Sequence, residues 1–377
     1  MDSEQSQKQR LFLARWLFSP LAGVTLGPWW KILRSYGHTI PPRYWPRALF
    51  TTGMAAMNSI LKRREDTTYL DNAYRVEQPI FILGHHRSGT THLWKLLATD
   101  QTFIHPTVTE TIFPDTLLTF ENIASRWARR LAPGKRPQDN VRNTSSSPMG
   151  EEWALCTSTF LSTHMARHFP RHRENFKRYL TLRDLDPAEQ RRWQLALDDF
   201  ARKLLYKNGG RGRLLFKAPT HTAKVRLLLD LYPDARFIHI QRDPYRVFQS
   251  SRHMELESLP MCAYQHWHPA SVDPYVLWHY REMYDAFFDD LRSIPPGQIS
   301  WVRYEDLVCD RIGTVERIYR ELDLPGFGRM KPRLSEYIDS IADYRGNEFA
   351  PLGQDEKAAI NDAWGDIIQR LGYEPAR

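Results

Sequence analysis

The feature that most constrains the fold is a short apolar run that passes directly into a glycine-containing loop. Residues 79–83 read PIFIL, and the next eight residues read GHHRSGTT before an apolar helical pattern begins near Thr91. A short aliphatic run bounded by a glycine is typical of a buried parallel strand. Because this loop lies between a strand and a helix, its backbone N–H groups can surround an anion at the helix N-terminus. The sequence therefore predicts an anion-binding loop at the carboxyl end of a buried strand.

Three more apolar runs read as buried strands, at residues 214–217 (LLFK), 235–240 (ARFIHI) and 299–303 (ISWVR). Helical periodicity lies between them, most clearly over residues 188–206 and 222–232. This alternation predicts an α/β fold of the P-loop type, with a central parallel sheet and helices on both faces in three layers. Ligands of such folds bind at the carboxyl ends of the strands.

The 377 residues show no internal repeat and no long linker, which favours one large domain. We assign residues 76–377 to that domain and residues 1–75 to an apolar, helical N-terminal extension packed on the domain or on a membrane surface. Within the extension, residues 11–30 are apolar enough to consider a membrane span, but Arg15 and two prolines weaken that interpretation. The sequence predicts a cytoplasmic protein that can contact a membrane peripherally through residues 11–30.

The predicted loop departs from the nucleotide triphosphatase motif at one position. Its glycines, Gly84 and Gly89, have the GxxxxG spacing, but Thr90 stands where that motif has the lysine that reaches the β- and γ-phosphates. A cation appears earlier, as Arg87. The loop is thus suited to one anionic group without magnesium, which disfavours an ATPase or a kinase.

The composition supports an anionic ligand and a reducing compartment. The formal charge is +8, and 40 of the 52 basic residues are arginine, which binds phosphate and sulfate through two parallel hydrogen bonds. The three cysteines are far apart, with no CxxC and no HExxH, so we expect neither disulfides nor a bound metal. The aromatic and basic residues of 124–130 and 165–173 alternate with apolar ones at helical spacing, which favours solvated helix faces over nucleic-acid binding.

Four segments, taken in order, resemble the sulfotransferases that use 3′-phosphoadenosine 5′-phosphosulfate (PAPS), in particular bacterial members with an RSGTT loop. They are RSGTT at residues 87–91, KAPTH at 217–221, Arg242 followed eight residues later by Ser250, and YEDL at 304–307. The resemblance implies a donor site formed by Arg87, Ser88, Gly89, Thr90 and Thr91 at the 5′-phosphosulfate, Arg242 and Ser250 at the 3′-phosphate, and Tyr304 near the adenine. A late basic-glycine segment, here Arg345 and Gly346, closes over the 3′-phosphate in related enzymes.

The resemblance also implies three catalytic residues. Arg87 would stabilise the leaving phosphate electrostatically, because a guanidinium does not readily give up its proton. The base is either Glu110, in the segment where RSGTT-type enzymes place an acceptor-activating glutamate, or His221, whose imidazole suits proton transfer near neutral pH. The resemblance implies no metal.

Several of these residues also fit ordinary structural explanations. Glu110 can be a helix-start carboxylate, His221 can cap the helix that follows it, and Ser88, Thr90 or Thr91 can serve as a helix N-cap. Glu151 and Glu152 either line the acceptor pocket or form a solvated helix start.

The sequence therefore favours a PAPS-dependent transfer of a sulfuryl group to a hydroxyl or amine of a small molecule, a lipid or a glycan. Two alternatives remain at this stage: a nucleotide or nucleoside kinase of the same fold, and a non-catalytic anion-binding module.

Overall fold

A computed structural model of the chain describes residues 19–68, 74–119, 147–342 and 347–376. Within these ranges a five-stranded parallel sheet has the order β2-β3-β1-β4-β5. The strands are β1 Ile80–Leu83, β2 Phe103–Ile104, β3 Arg213–Phe216, β4 Arg236–Gln241 and β5 Ile299–Arg303.

Helices connect the strands and cover the sheet. The α-helices of the described ranges are α1 Leu26–Tyr36, α2 Trp45–Thr68, α3 Thr90–Leu97, α4 Val108–Ile112, α5 Glu152–Thr159, α6 Met165–His168, α7 Arg173–Lys177, α8 Pro187–Lys207, α9 Val225–Leu231, α10 Pro244–Cys262, α11 Val272–Asp290, α12 Tyr304–Cys309, α13 Arg311–Glu321, α14 Phe327–Ser340 and α15 Gln354–Arg370. Short 3₁₀ helices lie at Pro20–Gly23, Gly37–Thr39, Pro42–Tyr44, Pro114–Thr116, Pro170–His172, Pro219–Ala223, Pro269–Ser271 and Leu291–Ser293.

The alternation of side chains along β1 divides the core into two halves. Phe81 and Leu83 join the core half that contains Trp193 of α8 and Trp364 of α15. On the other face, Ile80 and Ile82 join the half that contains α3, α13 and α14. Because successive side chains of a strand point to opposite faces, a strand covered by helices on both sides is apolar throughout. The predicted three-layer α/β fold is confirmed.

The four strands predicted from the sequence are present, and β2 is the one that the sequence interpretation missed. Two residues are too few for a recognisable strand pattern. The helix predicted over residues 188–206 is α8, and its start is fixed by Pro187 in the first turn and by the Asp186 carboxylate, which accepts from the backbone N–H of Ala188.

The described part of the N-terminal extension packs on the rest of the chain. Leu21 and Trp29 lie in a buried cluster with Phe169 and Tyr264, and the Trp29 and Tyr264 ring centroids are 5.6 Å apart. Residues 11–18, the first part of the apolar segment, lie outside the described residues. Among the helices that the structure describes, none has the length and apolar character needed to cross a bilayer. The division of the chain at residue 75 stays a prediction.

The interpretation of residues 165–173 as a solvated helix face is wrong. Arg167, His168 and Arg173 are all buried. The Arg167 guanidinium lies 2.6 Å from the carboxylate of Glu255 in α10, so the charge is paired inside the protein. The basic and aromatic pattern of this segment therefore reflects a buried ion pair, and residues 124–130 lie outside the described ranges.

Candidate active site

The loop after β1 turns sharply because three of its residues adopt positive φ angles: Gly84 at 131°, Arg87 at 71° and Gly89 at 99°. A Cβ on Gly84 would lie 2.2 Å from the carbonyl oxygen of Ile240, and one on Gly89 would lie 2.3 Å from the ring of Tyr304. Both positions therefore require glycine, for their conformation and for the close approach of β4 and α12.

The start of α3 leaves its backbone donors without a side-chain acceptor. Gly89 is the N-cap, so the alternative that Ser88, Thr90 or Thr91 caps this helix is wrong. The Ser88 hydroxyl donates instead to the carbonyl oxygen of His85, at 2.7 Å. A helix start without a side-chain cap, beside a glycine loop, is an arrangement that binds anions.

Two arginines and a serine predicted from distant segments meet at this loop. The Nε of Arg87 donates to the hydroxyl of Ser250 at 2.9 Å. The guanidinium of Arg242 donates to the backbone carbonyl of Arg87 at 3.2 Å and lies 4.3 Å from the ring centroid of Tyr304. The carboxyl ends of β1 and β4 and the start of α12 thus form one cationic edge of the sheet.

The turn after β4 is held by the segment that contains Tyr304. One oxygen of Glu305 accepts from the backbone N–H of Asp243 at 3.1 Å, and the other accepts from the hydroxyl of Tyr373 at 2.9 Å. The Asp243 carboxylate in turn caps α10 by accepting from the N–H of Tyr245 at 2.9 Å. These bonds fix the position of Arg242, which directly precedes the cap.

A cavity of about 450 Å³ opens next to Arg242, and it is lined by Arg242, Arg246, Asn347, Glu348 and Phe349. Arg246 was not among the residues predicted from the sequence, although it lies only four positions after Arg242, in the first turn of α10. Arg345 and Gly346 lie outside the described residues, and their chain neighbour Asn347 lines this cavity.

Glu110 lies on α4 with 5% of its surface exposed. Its Oε2 accepts from the backbone N–H and the hydroxyl of Thr107, at 2.7 and 2.8 Å, and these two residues form a capping box. Its Oε1 lies 2.6 Å from Nζ of Lys207 on α8. The helix-start interpretation is confirmed, and the carboxylate also has a cationic partner that the sequence did not indicate. Its function as a base stays a prediction.

His221 lies in the 3₁₀ helix Pro219–Ala223 and has no exposed surface. Its Nδ1 is 3.1 Å from Oε1 of Glu151, and its ring packs against Phe81 and Trp193 with centroid distances of 5.5 and 5.7 Å. Lys224, and not His221, is the N-cap residue of α9, so the capping interpretation of His221 is wrong. A carboxylate facing one ring nitrogen is an arrangement that orients an imidazole.

The interpretation of Glu151 and Glu152 as a solvated helix start is also wrong, because both side chains are buried. Glu151 accepts from the backbone N–H of Lys217 at 3.0 Å. Glu152 accepts from the hydroxyl of Thr220 at 2.6 Å and lies 3.7 Å from Nζ of Lys224. The two glutamates thus join α5 to the segment after β3, which includes His221.

The same 3₁₀ helix contacts the anion-binding loop. The hydroxyl of Thr222 accepts from the backbone N–H of Gly84 at 2.7 Å. Met149 donates its backbone N–H to the carbonyl of Pro106 at 3.0 Å, which places the start of α5 beside the turn before α4. We call α4, α5 and the 3₁₀ helix Pro219–Ala223 the acid–base wall.

Four histidines beside the loop form a cluster that the sequence analysis missed. Nε2 of His85 is 3.1 Å from Nδ1 of His279, and the His86 ring lies 5.4 Å from that of His279 and 6.2 Å from that of His164. Burial lowers the pKa of His85 to about 4. Burial, together with neighbouring imidazoles and Arg167, holds the pKa of the other three well below their usual value. The cluster is therefore neutral at pH 7.

The four-histidine cluster is not spaced for metal binding. In the described parts of the chain, no group of three or more His, Cys, Asp or Glu side chains is arranged to hold a metal ion. The expectation that the protein needs no metal stays a prediction.

This geometry defines a P-loop enzyme that handles an anionic group, with cations on the loop and carboxylate and imidazole side chains on the neighbouring wall. The Sulfotransferase family matches residues 79–328, and the chain belongs to this family. It is therefore a transferase that uses a sulfate donor as co-substrate.

Two curated relatives match nearly the whole chain. Both carry the name omega-hydroxy-beta-dihydromenaquinone-9 sulfotransferase Stf3, from Mycobacterium bovis and Mycobacterium tuberculosis. Each is 30% identical over 376 residues, which cover 97% of this chain and 96% of the relative.

Solved structures of mycobacterial sulfotransferases share the fold. Sulfotransferase STF9 from Mycobacterium avium superimposes with a TM-score of 0.69 at 17% identity, covering 90% of this chain and 88% of STF9. Sulfotransferase STF1 from Mycobacterium tuberculosis superimposes with a TM-score of 0.59 at 19% identity, covering 88% of this chain and 90% of STF1. At these identities the likeness concerns the fold alone.

Proposed function

We propose that this sulfotransferase takes its sulfuryl group from PAPS and transfers it to a hydroxyl of an apolar, lipid-like acceptor. The observation that carries the donor assignment is the meeting of Arg87, Arg242, Ser250 and Tyr304 at the glycine loop. A donor with two separate anionic groups and an aromatic base needs this combination of groups.

The residues present fit PAPS in three places. The residues from Arg87 to Thr91 suit the 5′-phosphosulfate, because α3 begins without a side-chain cap at Gly89 and the backbone turns there through a positive φ angle. Arg242 and Ser250 suit the 3′-phosphate, and Arg246 adds a second cation in the adjoining cavity. The ring of Tyr304 suits the adenine. We also assign Arg345 and Gly346 to the 3′-phosphate, because their chain neighbour Asn347 lines the cavity beside Arg242.

The reaction moves one sulfuryl group and one proton. The acceptor oxygen attacks sulfur, the bond between sulfur and the bridging oxygen of the 5′-phosphate breaks, and the products are a sulfate ester and 3′,5′-adenosine bisphosphate. Arg87 stabilises the charge that develops on the leaving phosphate, and it does so as a permanent cation.

Two residues are candidates to take the acceptor proton. Glu110 offers a carboxylate whose partners, Thr107 and Lys207, keep it in a fixed orientation. His221 offers an imidazole that faces Glu151. Both belong to the acid–base wall.

Two observations favour an apolar acceptor over a glycan. The relatives at 30% identity are named for a hydroxylated dihydromenaquinone, which is a lipid quinone derivative. In addition, the helix that carries Glu110 adjoins an apolar cluster formed by Ala22, Met54, Met57, Leu61, Ile112 and Phe113. Methionine side chains adapt their shape easily and suit a long, flexible apolar ligand.

The test is transfer of ³⁵S from labelled PAPS to three acceptors: a menaquinone with a terminal hydroxyl, the same quinone without the hydroxyl, and an oligosaccharide. We expect label in the organic phase only with the hydroxylated quinone. Label in the oligosaccharide, or transfer that requires ATP and magnesium, would contradict the proposal.

A further inference from the structure

The net positive charge of this chain comes from its N-terminal part. Residues 5–64 contain ten Lys or Arg and no Asp or Glu, so the remaining residues carry 42 basic and 44 acidic side chains. The high isoelectric point therefore describes this segment and not the catalytic domain. Such an asymmetry indicates an anionic partner for one region of the protein.

Within the described part of this segment, five of the seven cations are exposed, while Arg47 is buried. Lys31 and Arg34 of α1, Arg43 before α2, and Arg63 and Arg64 near the end of α2 are exposed. Two acidic residues follow them: Glu65 is buried and pairs with Lys203 of α8 at 3.3 Å, and Asp66 is exposed and lies 3.5 Å from Nζ of Lys62.

The same segment exposes large apolar side chains. Six of them are among the exposed large hydrophobic residues of the described chain: Leu26, Trp30, Trp45, Leu49, Phe50 and Ile60. Trp30 is 59% exposed and Leu49 is 63% exposed. We call these six residues, with the exposed cations around them, the N-terminal surface. Clusters of exposed apolar residues on a folded protein mark interaction sites.

The N-terminal surface belongs to ordered helices. The backbone N–H of Leu26 donates to the hydroxyl of Ser59 at 2.8 Å, and Nε1 of Trp29 donates to the hydroxyl of Thr52 at 2.9 Å. These bonds join α1 to α2, while Trp29 itself is buried. The exposed residues therefore lie on a helix pair that is anchored to the domain.

The exposed side of α2 is continuous along its length. Trp45, Leu49, Gly53 and Ile60 have helical spacing, so they lie on one side of the helix. A Cβ on Gly53 would meet nothing within 4 Å, so this side is open to solvent.

We propose that the N-terminal surface binds the face of an anionic lipid bilayer. Tryptophan and leucine side chains surrounded by lysine and arginine are the groups that enter the interface between headgroups and acyl chains. A second copy of the same surface is a poor partner, because residues 5–64 of each copy carry ten Lys or Arg and no Asp or Glu, so the two surfaces would repel each other. This site differs from residues 11–30 as a whole, because most of residues 19–29 are buried. The inference stands on charge and exposure and does not depend on which acceptor is sulfated.

The position of this surface connects it to the active site. The 3₁₀ helix Pro20–Gly23 packs against α4, and a Cβ on Gly23 would lie 1.6 Å from the carbonyl oxygen of Ile112. Asn58 of α2 donates its amide to the carbonyls of Ala22 and Val24 at 2.7 and 3.0 Å. Binding to a bilayer would thus hold the helix of Glu110 near the lipid surface.

The test is co-sedimentation of the full-length protein with vesicles of phosphatidylcholine alone and of phosphatidylcholine with phosphatidylglycerol. We expect binding only to the second kind, weakened by salt. Leu49→Ser should weaken binding about tenfold, because it removes one apolar side chain that would enter the bilayer. The combined Lys31→Gln, Arg34→Gln and Arg43→Gln variant should weaken it roughly 100-fold.

Matched controls lie elsewhere on the surface. Leu195→Ser on α8 removes a leucine that is 49% exposed, and Arg333→Gln on α14 removes an exposed arginine. Both should bind vesicles like the unchanged protein. Circular dichroism verifies the folding of each variant. Hydrogen exchange on the unchanged protein tests the surface without any substitution, and we expect vesicles to slow the exchange in α1 and α2.

Four results would overturn the proposal. They are no binding to anionic vesicles, equal binding to both kinds, binding to RNA in place of vesicles, and a dimer in solution that Leu49→Ser dissociates while vesicles are not bound. Vesicle binding that survives the substitutions, with unchanged exchange in α1 and α2, would place the contact elsewhere and also contradict it.

Discussion

The anion-binding loop after β1 and the acid–base wall are built from different kinds of contact. The conformation of the loop comes from residues that are close together in the sequence. Gly84, Arg87 and Gly89, which have positive φ angles, lie within a few positions of one another. On the acid–base wall, each candidate base depends on a partner far away in the chain. Glu110 pairs with Lys207, 97 residues later, and His221 faces Glu151, 70 residues earlier.

This difference explains why one region follows from the sequence and the other does not. A glycine loop between a strand and a helix is a local motif whose backbone geometry is the site itself. A buried carboxylate or imidazole takes its properties from side chains that packing brings to it. Substitutions in the loop and in the wall test the two regions separately.

The largest effect is expected at the loop. Arg87→Ala should lower kcat about 10³-fold, because it removes the cation beside the leaving group. Affinity for 3′,5′-adenosine bisphosphate should fall less, since Arg242 and Ser250 remain. Single-turnover transfer of ³⁵S measures the loss of catalytic rate. Arg333→Ala is the control for loss of a surface arginine. A fully active Arg87→Ala enzyme would contradict the assignment.

The acid–base wall is tested by comparing Glu110→Gln with His221→Asn. Glutamine also forms capping boxes, so Glu110→Gln keeps the start of α4 while removing the base. The variant of the true base should lower kcat on the order of 10²-fold with donor affinity unchanged. If neither variant loses activity, the base is neither residue and the wall only positions the acceptor.

The conformation of the loop is tested by Gly89→Ala. The new Cβ would meet the Tyr304 ring at 2.3 Å in a backbone conformation with φ of 99°. We expect a loss of roughly 2–3 kcal/mol in folding stability, and weaker binding of the bisphosphate. Gly328→Ala on α14, where a Cβ would meet nothing within 4 Å, should leave both quantities nearly unchanged. Equal urea midpoints for the two variants would show that the loop tolerates a side chain.

Acid should destabilise the protein through the four-histidine cluster. Burial lowers the pKa of His85 from 6.5 to about 4, so the unfolded chain takes up a proton at higher pH than the folded protein does. Stability is therefore fully present above pH 6.5 and falls as the pH decreases towards 4. His85 alone should cost about 2 kcal/mol at pH 5. Urea unfolding at pH 7.5 and 5 measures this, and His85→Gln should reduce the pH dependence while His38→Gln, at an exposed position, should not.

The sequence predicted the parts of the molecule whose signals are local. The strands β1, β3, β4 and β5, helix α8 and the glycine loop after β1 all follow from short patterns. Strand β2 was missed because two residues carry no periodicity. The burial of Glu151 and Glu152 could not be predicted, because it depends on the hydroxyls and backbone groups of the segment after β3.

The histidine cluster shows the same limit. His85 and His86 are adjacent in the loop, but His279 joins them from 194 residues away. Arg246 is closer in sequence, since it lies four residues after Arg242 in the first turn of α10, and both arginines line the same cavity.

We propose that the glycine loop and Arg242, which directly follows β4, form one site for a PAPS-type donor. Calorimetric titration with 3′,5′-adenosine bisphosphate and with ATP, each with and without magnesium, tests it most directly. We expect the bisphosphate to bind with micromolar affinity without magnesium, and we expect Arg242→Ala to abolish this binding. Preferential, magnesium-dependent binding of ATP, or bisphosphate binding that Arg242→Ala leaves unchanged, would contradict it.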